Sequence, residues 1–347
     1  MKKFFAFLGA FAFMAGMVLG QSNTADVEQN GNTNSSTTSQ AGLNNYSYTG
    51  QINGDSNQST LNQTGTGNKI WLTQGMVEGL WGWQTSDLEG NNNQASVSQI
   101  GNNNMVSHLK QVGDYNFSSI TQNGDGNNAY SYQGWAFGFW GETDVTSALS
   151  STNSIVNISQ VDDNNLAAVW QYGGDNNEVY VTQDGTDNNT QIAQGFIYED
   201  ADYDFSHPVF NTQDNVATIN QTGLNNSAKL FQVGDNNSFT LNQNGEGNVL
   251  GGKGLSGLGD IRNGYFEQDG DGNIFIGTQN DGATLDHTSR QTGDYNNIFM
   301  IQGEDDMATI IQEGDLNNVT LQQFGQFNTS TITQTGNSNS ATVTQTP

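Results

Sequence analysis

The chain has no Cys and only two Pro, Pro208 and Pro347. Without Cys it can build no disulfide, thiolate metal site or Cys nucleophile. Positive charge is scarce: Lys plus Arg number 8 against 35 Asp plus Glu, for a net charge of -27. Holding a phosphate backbone takes clustered Lys and Arg, so no nucleic-acid partner is expected. The three His, His108, His207 and His287, leave little imidazole chemistry. There is no G-x-S-x-G, P-loop or paired-His motif. We expect no catalytic residue, no cofactor and no metal, hence no enzyme. Hydrophobic residues reach 33% of the 347 positions, little for an ordinary enzyme core. In their place stand 43 Gly and, together, 80 Asn and Gln. Composition by itself leaves two classes, a disordered polar polymer or a repetitive β structure.

The N-terminus reads as an address. Lys2 and Lys3 precede an apolar run from Phe4 to Leu19 that ends in the small residue Gly20. A basic start, a short apolar stretch and a small-residue end describe a secretory signal peptide over 1-20. The run is short and Gly-interrupted for a membrane anchor. Cleavage would leave 21-347 as a secreted chain with no transmembrane segment.

One unit then repeats to the end. Gln29-Asn30-Gly31-Asn32-Thr33-Asn34 has the form Q-x-G-x-x-N, and the Gln returns mostly every eleven residues. Between each Asn and the next Gln the residues alternate. After Asn215 come Ala217 and Ile219 and then Gln221, with Thr218 and Asn220 between. Strict alternation over about six residues marks a half-buried strand, and x-G-x-x is turn chemistry. Such a strand cannot bury its apolar face alone, but stacked coils can. The expected fold is all-β: a cross-β solenoid with two short strands and two tight turns per coil, in about 12 coils. Stacked at ~4.8 Å, inward Asn and Gln would form hydrogen-bond ladders. The ladder residues on this reading include Gln29, Asn34, Gln40, Gln63, Gln111, Asn116, Gln122, Gln221, Asn226, Gln232, Asn237 and Gln243. The series resumes at Gln312, Asn317, Gln323, Asn328, Gln334, Asn339 and Gln345. The turn glycines are Gly31, Gly42, Gly65, Gly101, Gly113, Gly124, Gly223, Gly234, Gly245, Gly293, Gly314, Gly325 and Gly336.

Long turns interrupt the repeat near 75-92, 134-153, 195-214 and 255-262. Counted from Gln29 as zero, Gln74 is fourth, Gln133 eighth and Gln194 twelfth. The sixteenth position falls at Gly254, where Gln is missing, and Gln302 is then twentieth, with a shortened turn. An exceptional turn every two coils would place them all on one edge. The first three are aromatic, and Trp81, Trp83, Trp135 and Trp140 are candidate lateral-contact residues. Folding back over one flank is the alternative. Trp71 and Trp170 are expected to face outward from strands.

The pattern resembles the curlins, subunits of bacterial curli fibres, whose repeat reads S-x5-Q-x-G-x2-N-x-A-x3-Q. Gln29-x-Gly31-x2-Asn34 followed by Gln40 fits it, as do Asn215-Val216-Ala217 through Gln221, Asn226 to Gln232 and Asn339 to Gln345. The resemblance spans nearly all of 21-347. It implies a secreted functional amyloid of the biofilm matrix that self-associates end to end. It also implies a nucleator and an outer-membrane curli-type export channel as partners. The chain departs from the family in its greater number of units, its long inserts and the frequent Asn where the family has Ser.

Acids recur three residues after the Gln, at Asp114, Asp125, Asp163, Asp235, Glu246, Asp271, Asp294 and Asp315. The period of eleven is not the nine of calcium-binding nonapeptides, so they read as solvated turns. The reading from a second class is a monomeric secreted solenoid, an adhesin or ice-binder using outward Thr such as Thr329, Thr331, Thr333, Thr342 and Thr344.

Overall fold

The computed structural model describes residues 22–346, apart from 53, 76, 80–81, 85–89, 137–147, 150, 172, 198–208, 211, 252–265 and 287. The signal-peptide segment therefore lies outside the described residues. Each unit forms one strand and one turn, and successive units alternate between two parallel sheets. The fold is an all-β solenoid, with no helix among the described residues.

One sheet is continuous, with twelve strands: Ser35–Leu43, Gln58–Thr66, Gln94–Ile100, Phe117–Asn123, Ile155–Val161, Glu178–Thr186, Val216–Leu224, Ser238–Glu246, Ile274–Asn280, Asn297–Gln302, Asn318–Gln323 and Ser340–Gln345. The other sheet is split. It begins Thr24–Asn30, Tyr46–Ile52, Lys69–Gln74, Met105–Gln111, Asn128–Gln133, Leu166–Gln171, Asn189–Gln194 and Ser227–Val233. Its next two rungs are made in halves, Val249–Leu250 with Phe266–Asp269, then Thr284–Leu285 with Arg290–Thr292. Met307–Glu313 and Thr329–Thr335 complete it. Both sheets thus have twelve rungs, two strands to a coil. Gln stands opposite Gln in register, as in Gln183↔Gln221 and Gln194↔Gln232. A one-residue slip would turn every inward residue out, so the alternation enforces that register.

The whole strands turn inward the residues four and two before their Gln, except that the bulge in Met105–Gln111 also brings in Val106, five before Gln111. Ala217 with Ile219, and Ala228 with Leu230, are fully buried. Burying a side chain the size of Ile219 contributes about 1.5–3 kcal/mol. The columns adapt where their residues are large. Phe239 stacks on Phe275 at 4.6 Å between ring centroids, and Phe266 leans against both. Gly277 then occupies an aliphatic position, where an added Cβ would lie 2.5 Å from the Phe275 ring.

The insertions differ from expectation in three ways. The first three do follow strands of the split sheet, after Gln74, Gln133 and Gln194, and each leaves as a short antiparallel pair: Val77–Gly79 with Gly82–Gln84, Trp135–Ala136 with Ala148–Leu149, and Phe196–Ile197 with Val209–Phe210. The second ends earlier than 153, because Ser151–Thr152 already pairs with Gly174–Asp175 in the stack. The span 255-262 lies outside the described residues. The chain around it belongs to one rung, begun by Val249–Leu250 and resumed at Phe266, so this insertion interrupts a strand rather than a turn. Gln268 is consequently the sixteenth Gln and Gln302 the nineteenth. Gln302 ends a strand of the continuous sheet, so its short turn is on the other edge. Counting by turn length fails once an insertion falls inside a strand.

Candidate assembly interface

In the continuous sheet Gln40 Nε2 donates to Gln63 Oε1 at 2.8 Å. The series runs on through Gln99, Gln122, Gln160, Gln183, Gln221, Gln243, Gln279, Gln302 and Gln323 to Gln345, at 2.8–3.2 Å and without a gap. The other N–H of each amide reaches a backbone carbonyl of the opposite sheet, as from Gln63 to Tyr46 and from Gln221 to Asn189. Every amide points the same way, its N–H toward the following coil. The ladder therefore has a polarity.

The split sheet has its own series with the same polarity. Gln29 donates to Gln51 at 2.6 Å, and Gln74, Gln111 and Gln133 follow at 2.7–3.0 Å. It restarts at Gln171 and runs through Gln194, Gln232, Gln268, Gln291 and Gln312 to Gln334 at 2.8–3.0 Å. Between Gln133 and Gln171 the hand-over is made differently. Gln133 Nε2 donates to Ser154 O at 2.6 Å, and its Oε1 accepts from Ser118 Oγ at 2.8 Å. Ser154 stands where other coils have Asn, just after the second insertion. Gln171 Oε1 is left buried without a donor among the described residues. A buried amide oxygen left so costs about 1–3 kcal/mol.

The Asn residues tie coil to coil at the turns. Asn34 Oδ1 accepts the backbone N–H of Asn57 at 2.9 Å, and its Nδ2 donates to Gly54 O. Asn116 N–H goes to Asn93 Oδ1, Asn237 N–H to Asn215 Oδ1, and Asn339 N–H to Asn317 Oδ1. Asn226 Nδ2 donates to Gly245 O at 3.0 Å. Asn328 differs in that its N–H goes to Asp306, which takes the Asn place after the short turn.

All thirteen turn glycines named above have positive φ, from 92° to 135°. The requirement is doubled at Gly223, where a Cβ would also lie 2.2 Å from Gly245 O in the next coil. Two residues further on, each turn has a second left-handed residue, filled by such different side chains as Thr33, Asn225, Tyr295 and Leu316.

The recurring acids are more than solvated. Asp271 Oδ1 accepts the N–H of Asp235 at 2.8 Å, Asp294 that of Asp271 and Asp315 that of Asp294, both at 3.0 Å. Asp55 likewise accepts from Asn32, which holds its carboxyl below the usual range. Each of these carboxylates thus caps the backbone of the coil before it, as do Asp114, Asp125, Asp163 and Asp235, whereas Glu246 only gives its own N–H to Asp281. Asn at the same offset, in Asn102 and Asn337, was the signal for this role in the sequence. Among the described residues no three metal-ligating side chains cluster.

The remaining candidates do not form one site. Trp81 and Trp140 lie outside the described residues, and Trp83 and Trp135 are placed only as members of insertion strands. His207 and His287 lie outside too. Trp71 is half-buried on the outer side of the split sheet, 5.3 Å from Tyr46, and Trp170 is on the same side. The Thr row divides: Thr329, Thr331 and Thr333 belong to the split sheet, Thr342 and Thr344 to the continuous one.

At the two ends of the stack lie Thr24–Asn30, exposed throughout, and Ser340–Gln345, with every side chain at least partly open. A family model for the curlin associated repeat matches residues 152–185, 212–245 and 317–346. No curated protein matches the chain.

Proposed function

We propose that this chain, a curlin-type protein by its repeats, is secreted and polymerises end to end into an extracellular curli-like amyloid fibre for biofilm matrix, adhesion and surface colonisation. The observation that carries the reading is the pair of polar Gln ladders. Gln29 and Gln40 offer Oε1 at one end of the stack, and Gln334 and Gln345 offer Nε2 N–H at the other. A second copy added head to tail continues both ladders and both parallel sheets. Head-to-head addition would set acceptor against acceptor. Exposed strand edges of this kind accept a further strand by backbone pairing. A nucleator that presents the first coil, and an outer-membrane curli-type export channel, are the partners this role would use. Aged purified protein should give thioflavin-positive, detergent-resistant filaments in electron micrographs. Protein that stays monomeric at high concentration would return the reading to a secreted binding solenoid.

A further inference from the structure

The outer faces of the two sheets are unlike. In the continuous sheet the residues five, three and one before each Gln point outward. Across its twelve strands these are Ser, Thr, Asn, Gln, aliphatic and aromatic residues, and Glu178 is the one charge among them. Even Glu178 is engaged, accepting from the Tyr180 hydroxyl at 3.0 Å. In a chain of net charge -27 so neutral a face is not an average sample of the surface. It includes an open apolar patch on adjacent strands, Ile274 at 39% exposure, Ile276 at 44% and Phe299 at 37%. The capping carboxylates lie in the turns at its margins, and Asp184, one residue past Gln183 in its strand, is exposed at the same margin.

The split sheet has no such face to offer. Its outward residues in the middle coils, Ala168, Ala193, Lys229 and Phe231, are already buried within the subunit. All four basic residues among the described ones, Lys69, Lys110, Lys229 and Arg290, also point outward from this sheet.

We propose that a second copy of this chain packs on the continuous sheet, outer face against outer face, so that fibres pair sideways. The proposal rests on the fibre reading above and names the face by which fibres associate. Two strongly acidic bodies can touch only where neither carries charge, since like charges brought within a Debye length of ~8 Å repel. A neutral centre with charge at the rim is the usual layout of a protein interface. The area is sufficient. Twelve strands at ~4.8 Å, each ~20 Å long, give a face of ~1,100 Å², against ~800 Å² per partner in a stable complex. End-to-end addition would prolong the face without interruption, so weak contacts repeat along the fibre.

The test compares wild-type protein with Ile276→Lys/Phe299→Lys and with Thr331→Lys on the split sheet. The double variant should keep its thioflavin kinetics within about twofold and lose paired fibres at least tenfold in micrographs, while Thr331→Lys pairs as wild type does. A second measurement covers a double variant that fails to assemble. Because the chain has no Cys, Thr60→Cys, Thr240→Cys and Thr320→Cys each introduce a lone thiol. Equivalent thiols along one fibre are ~55 Å apart, so a short bis-maleimide can join them only across a lateral contact. Covalent dimers in at least one pairwise mixture are expected. Wild-type fibres that stay single, a double variant that pairs normally, or fibres without cross-links in any mixture would overturn the face assignment and leave end-to-end assembly standing. Absence of wild-type fibres would instead overturn the fibre reading itself.

Discussion

The continuous sheet and the split sheet are built from the same unit, yet only one of them is regular. The continuous sheet has twelve whole strands and an unbroken Gln series. The split sheet carries every insertion, two rungs made in halves, a bulge within Met105–Gln111 and a break between Gln133 and Gln171. In a stack where each coil contacts only its neighbours, one uninterrupted face is enough to hold register. The other can then accept extra chain. The difference also divides the outer surface, nearly neutral and open on one side, charged and buried in its middle coils on the other.

The largest effect that tests this division is expected at Gly185, just after the continuous-sheet Gln183. Its Cβ would lie 2.0 Å from Gly223 O, at a φ of +126°. Gly185→Ala should cost about 3 kcal/mol or more, read from urea midpoints of freshly purified protein. Gly247 is the contrast: nothing lies within 4 Å of its Cβ, and its φ of +71° is near that of Asn225 at the same offset. Gly247→Asn should change stability by less than about 0.5 kcal/mol. Equal losses at the two positions would mean that coil-to-coil contact is not what selects Gly.

The next largest effect compares the ladders. Gln243→Leu leaves one N–H of Gln221 Nε2 and the Oε1 of Gln279 buried without their ladder partner, and should cost about 2–3 kcal/mol. Gln171→Leu removes a bond on one side only, since its Oε1 already has no donor among the described residues, and should cost about half as much. A larger loss at Gln171 would break the comparison, because the split sheet would then be the one that holds the stack.

The smallest effect concerns charge on the buried side. Lys229 is 2% exposed, and burial lowers its pKa from the ordinary 10.5. Between the folded and unfolded pKa values the folded chain binds fewer protons, so stability rises with pH there. Lys229→Met removes this dependence. The stability of the variant relative to wild type should therefore fall as the pH is raised from about 7 to 10. A constant difference would show that the ammonium keeps its charge through that range.

Much of this architecture is legible in one sequence because the unit is short and its offsets are strict. Gln221, Gln232 and Gln243 at equal steps, with Ala217, Ile219, Ala228 and Leu230 in fixed phase, are enough to imply strands, turns and stacking. Legibility ends where two physical solutions share one local pattern. Asp235 and Asp271 read as solvated turn acids; the Asn at the same offset in Asn102 and Asn337 hints at another role, and the neighbouring coil reveals them as caps. The chain around Gly254 reads as a long turn after a missing Gln. Pairing of Val249–Leu250 and Phe266–Asp269 to one strand reveals a divided rung. Ser154 gives no local sign that it takes the N–H of Gln133 away from the ladder.

Periodicity by itself determined the unit, the number of coils and the inward Asn and Gln. These follow from the step of two along a strand and from the cost of burying an amide without a partner. Tertiary structure alone decided which sheet takes the insertions, where the ladder is interrupted, which way its amides point and which outer face stays open. Each of those depends on residues 20 to 40 positions apart meeting across a coil, and no local pattern encodes which of them will meet.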